Sequence, residues 1–67
     1  MVAKCYAIVT EVIHEFGNIR EGDVLCMMVN LDSNKNMIGI LNTRNKVIIY
    51  EPDMQRLNLC FKLEQID

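Results

Sequence analysis

The sequence predicts an all-β domain of five short strands folded into a small, partly open barrel. Three observations carry this. Short apolar segments recur along the chain, each rich in Val, Ile, Tyr or Phe and closed off by polar turn residues. The chain has 67 residues, enough for one domain over 1–67 and too few for a large sandwich. Curling five strands toward a barrel protects their edges and encloses a single core.

The first strand is read from Ala3 to Glu15, where β-branched residues disfavour a helix. Alternation puts Tyr6, Ile8, Thr10, Val12 and His14 on one face, and Cys5, Ala7, Val9, Glu11 and Ile13 on the other. Both sets are mixed, so the pattern does not say which one faces the core. Phe16-Gly17-Asn18 breaks the strand, and Glu21-Gly22-Asp23 is a second turn signal. Val24 to Leu31 is nearly all apolar, as in a strand covered on both sides or lying at an interface. Asp32 to Asn36 is a polar loop. Met37 to Leu41 forms the third strand, with Gly39 marking a bulge or a close backbone approach. Asn42 to Lys46 turns the chain into a fourth strand, Val47 to Tyr50. Glu51-Pro52-Asp53 stops that strand and starts a short helical turn through Arg56. In the last segment Leu57, Leu59, Phe61 and Leu63 alternate with Asn58, Cys60, Lys62 and Glu64, the signature of a half-buried strand.

This order resembles the SH3-like barrel. The wide loop before Gly22-Asp23 is similar to the RT loop of that family, and Gly22-Asp23 to its diverging turn. Met37 to Leu41 resembles its third strand, and Pro52 to Arg56 the short helical turn before the last strand. The resemblance covers most of the chain as a pattern and implies a five-stranded SH3-like barrel with a short helical turn before the last strand. It does not extend to the peptide-binding groove, which in that family is lined by aromatics. The chain has no Trp, Cys5 to Val9 contains a single aromatic, and Met37 and Ile38 stand where the Trp pair would be. Binding of Pro-rich peptides is therefore not expected.

Composition narrows the function. At 51% apolar residues the chain is too hydrophobic to be disordered. No apolar run is long enough to span a bilayer, so no membrane role is expected. A net charge of −2 lacks the basic footprint of a nucleic-acid binder. Cys5, Cys26 and Cys60 are odd in number and widely spaced, which suits free thiols in the cytoplasm better than a disulfide framework. The N-terminal residues lack the basic and apolar stretches of a signal peptide.

No motif supports catalysis or a cofactor. Asp32 to Asn36 mimics the start of a calcium loop, but Met37 replaces its Gly and Thr43 its bidentate Glu. The three cysteines and His14 lack the paired spacing of a zinc site. His14 and Ser33 are single residues of their kinds, and an active-site cleft is hard to build in so short a chain. The sequence thus predicts no enzyme, metal or cofactor.

What remains is an apolar excess. A domain this small buries only about 60% of the surface its unfolded chain exposes. Some of its apolar residues must therefore remain on the surface, where a contiguous patch would point to a partner or a second copy. The expected function is a non-enzymatic protein-interaction module, an adaptor or inhibitor of a larger protein machine. Small accessory or phage-encoded regulators are often of this kind. Candidate contact residues are Met27 and Met28, whose thioethers suit adaptable surfaces, and Phe16, Glu21 and Asp23 in the acidic first loop. Residues 1–33 hold two basic and five acidic groups, net −3; residues 34–67 hold five basic and four acidic, net +1. The first alternative is a nucleic-acid-binding barrel that touches phosphates through Lys35, Arg44, Lys46 and Arg56. The second is a structural subunit of a symmetric homo-oligomer.

Overall fold

A computed structural model of the chain describes residues 1–32 and 37–66. The elements run β1 (Val2–Val12), β2 (Val24–Asn30), β3 (Met37–Asn42), β4 (Ile48–Tyr50), α1 (Met54–Cys60) and β5 (Phe61–Ile66). The five strands form one antiparallel sheet in the order β4-β3-β2-β1-β5. All five expected strands are present, and a helix precedes the last one. The barrel, however, is not closed. β4 and β5 lie at opposite ends of the sheet and each leaves an outer edge unpaired among the described residues.

Register explains which face became the core. Ala7 and Val9 of β1 are buried, as are Leu25 of β2 and Ile40 of β3. A bulge then interrupts the β1–β5 ladder: Val9 pairs with Leu63, but the next pairs are Glu11 with Lys62 and Val12 with Phe61. The extra residue, Thr10, flips the alternation. Val12 therefore joins Val9 against the core, which strict alternation would not allow. The Thr10 hydroxyl donates to the Lys62 carbonyl at 3.1 Å and fastens the bulge.

The helix differs from the expected turn. It spans seven residues rather than one turn, and β5 begins only at Phe61. Asp53 caps it, with its carboxylate accepting from the Gln55 and Arg56 backbone amides. Pro52 lies just ahead of the cap. Leu57, Cys60 and Phe61 are spaced i, i+3, i+4 and all face the core, whereas Leu59 is 70% exposed. The alternation read from Leu57 through Leu63 therefore mixes a helical face with the start of a strand.

The inner face of the sheet is thus covered twice. α1 lays Leu57 and Cys60 over Val9, Leu25 and Ile40. The β1–β2 loop inserts Ile19, with Phe16 partly buried beside the same cluster. That loop is tied to the helix end, because the Ile13 and His14 amides donate to the Cys60 carbonyl at 2.7 and 3.1 Å. Gly17 makes the tight entry possible. Its φ is +62°, and a Cβ there would come within 3.0 Å of Ile49 Cδ1. Gly39 marks the close approach that its position suggested, since a Cβ would meet the Ile49 carbonyl at 3.2 Å. The ladder between β2 and β3 is also irregular just past it, between Met28 and Val29.

Candidate functional site

The opposite face of the sheet has no cover among the described residues. Strand pairing arranges it in three rows. The middle row is Ile66, Tyr6, Cys26, Leu41 and Ile48, running from β5 to β4. One flanking row is Lys4, Met28, Gly39 and Tyr50. The other is Glu64, Ile8 and Val24. Within these rows only Lys4 and Glu64 are charged.

This face is apolar and open. Tyr6 is 39% exposed, Ile48 40% and Tyr50 73%, and Val2 beyond the Lys4 row is 53% exposed. Ile8, Val24, Met28, Leu41 and Ile66 are half-buried by their neighbours on the sheet. Cys26 is buried among them. The neighbouring Cys26 thiol, and to a lesser extent burial, raise the Tyr6 hydroxyl above its ordinary pKa. A contiguous apolar patch on a surface points to an interaction site, and aromatic and Met side chains are enriched in protein interfaces.

The β1–β2 loop carries a separate feature, a cleft of about 540 Å³. Its apolar wall is Val12, Phe16 and Ile19, and its rim holds Glu15, Arg20 and Glu21. The Arg56 guanidinium lies 5.0 Å from the centre of the Phe16 ring, a cation–π contact. No buried side-chain polar atom among the described residues is left without a partner, so none is aimed into the cleft awaiting a ligand.

Beside the cleft is a polar knot. Asp23, only 5% exposed, accepts from Arg44 Nε at 2.8 Å, from Asn42 Nδ2 at 2.8 Å and from the Arg20 amide at 2.9 Å. Arg44 also donates from Nη2 to the Asn18 carbonyl at 2.7 Å. The Arg44 hydrogen bond, reinforced by those from Arg20 and Asn42, holds the Asp23 carboxyl down to about 2 against the opposing pull of burial. The knot joins the β1–β2 loop to the β3–β4 turn.

The structure distributes the sequence candidates unevenly. Phe16 and Glu21 line the cleft. Asp23 is inside the knot, with its charge spent on Arg44. Met28 is on the open face, but Met27 points the other way and packs against the core. Of the basic set, Arg44 is engaged by Asp23 and Asn18, Arg56 covers Phe16, and Lys46 sits exposed in the β3–β4 turn with φ +63°. Lys35 lies outside the described residues, as does most of the loop that mimics a calcium site. Cys5 is on the inner face and Cys26 on the outer, so the cysteines do not converge. All three are free.

The open face has the weakest signal in the sequence. Tyr6 with Ile8 on β1 and Ile48 with Tyr50 on β4 each show apolar residues two apart. Only the register shows that these pairs share a surface.

Comparison of the chain with known protein families, with characterised proteins and with solved structures gives no match. Among the described residues no group of three His, Cys, Asp or Glu side chains could hold a metal ion. Among the described residues no helix is long and apolar enough to cross a membrane.

Proposed function

We propose that this protein is a non-enzymatic protein-interaction module of the cytoplasm, either an adaptor or inhibitor of a larger machine or a self-associating subunit. The uncovered apolar face centred on Tyr6, Leu41 and Ile48 carries this reading. Burial of that face on a partner removes apolar surface from water, at about 25 cal/mol per Å². Three free thiols, two of them buried, support a reducing compartment. The strand order and the helix ahead of the last strand support the resemblance to SH3-like domains, with the sheet face rather than an aromatic groove as the contact surface.

Variant-controlled capture tests the proposal. Tagged protein is mixed with lysate of its own cells after nuclease treatment, beside Tyr50→Asp and Ile48→Asp. The wild type should retain a protein, or untagged copies of itself, that both variants lose. A wild type that stays monomeric and retains nothing overturns the reading. So does a catch that disappears with nuclease, which would favour the nucleic-acid alternative.

A further inference from the structure

Resting on that reading, we infer that the partner on the open face is a second copy of this chain, packed sheet to sheet about a two-fold axis. The axis lies in the interface, along the row Tyr6, Cys26, Leu41 and Ile48. The register supplies the argument. Rotation about this row superposes it on itself, so Tyr6, Leu41 and Ile48 each meet their own counterpart. It also exchanges the two flanking rows. Met28 then lies over Val24 of the second copy, and Lys4 lies over Ile8 beside Glu64.

The charges favour a second copy as the occupant. Lys4 and Glu64 have opposite signs and stand on opposite sides of the axis, on adjacent strands. The rotation brings each Lys4 next to a Glu64 of the other copy, twice by symmetry. A face with like charges in these places would repel its own copy, whereas this one complements itself. The packing also runs strands of the two sheets antiparallel and nearly aligned, a common geometry for stacked sheets.

Area is adequate. A standard interface takes about 800 Å² from each partner, close to a sixth of the 4713 Å² accessible surface of this chain. Five strands at about 4.8 Å spacing make a face roughly 20 Å wide before side chains are added.

Sedimentation equilibrium of the purified full chain, from low to high micromolar concentration, tests the inference. The expected mass is twice 7.8 kDa at the upper end. Ile48→Asp should give a monomer, with circular dichroism confirming that its sheet is intact. Lys4→Glu should raise the dimer dissociation constant about tenfold, since two pairs are reversed. Adding Glu64→Lys to that variant should restore it to within about threefold of wild type. A monomeric wild type overturns the inference, and so does an Ile48→Asp protein that remains a dimer. A dimer that Lys4→Glu weakens but the double variant does not restore overturns the two-fold arrangement. A monomer that still captures another protein through Tyr50 and Ile48 refutes self-association and leaves the interaction module standing. A monomer that captures nothing refutes both.

Discussion

The two faces of the sheet are built from the same strands and are similarly apolar, yet among the described residues only one is covered. On the inner face Val9, Leu25 and Ile40 are at most 1% exposed, because α1 and the β1–β2 loop close over them. On the outer face the side chains of Tyr6, Ile48 and Tyr50 remain substantially in water. The difference lies in the connections. The 11-residue stretch from Ile13 to Asp23 and the seven-residue helix both pass on the inner side. Hydrophobicity of a strand residue is therefore a poor guide to its role in this fold. Position relative to the covering elements decides whether it stabilises the monomer or awaits a partner.

Substitutions on the two faces should separate those roles, and the largest effect belongs to the covered one. Leu25→Ala opens a cavity beneath the helix and should cost about 2–5 kcal/mol, measured by urea unfolding. Stability of so small a domain is modest, so this variant is expected to be largely unfolded at 37 °C.

The knot that holds the covering loop in place comes next. Asp23→Ala removes an acceptor for Arg44, Asn42 and the Arg20 amide together. The expected loss is about 2–3 kcal/mol, below the full value for a buried pair because Arg44 is partly solvated. Unfolding of the variant by urea checks it. Acid should act on the same group. Asp23 has a folded pKa of about 2, below the ordinary carboxylate value near 3.9. A depressed carboxylate pKa gives stability that is full above pH 4 and is lost as pH falls through 2, here about 2 kcal/mol. Unfolding followed between pH 5 and 2 should show this loss, and Asp23→Asn should remove its share of the slope.

The smallest effect is expected on the open face. Ile48→Ala should change the stability of the dilute monomer by less than about 0.5 kcal/mol. A loss comparable to that of Leu25→Ala would mean that the outer face has a covering of its own and would erase the contrast.

How far the sequence foretold this arrangement follows from the same contrast. Strands and turns were readable because β-branched runs end at Gly, Asn and Asp. The extent of the helix was obscured at Leu57, where a period of two through Leu63 competes with the i, i+3, i+4 spacing of Leu57, Cys60 and Phe61. The cap at Asp53 fixes where the helix starts and leaves its end unmarked. The Thr10 bulge has no local signal, and it reverses which residues of β1 face inward beyond Val9. Met27 and Met28 are chemically equivalent, so only pairing with Ile40 and Gly39 tells which is core and which is surface. Asp23 and Arg44 are 21 residues apart, each within an ordinary turn motif, and their bond depends on how the loop folds back over the sheet.

The most direct test of the contrast is the melting temperature of wild type and Ile48→Asp as a function of protein concentration. If the outer face associates, the wild-type midpoint rises with concentration, because binding favours the folded state. Ile48→Asp should melt at one temperature throughout, equal to the dilute wild type. A wild-type midpoint that does not move, or an Ile48→Asp protein unfolded even when dilute, would contradict the account.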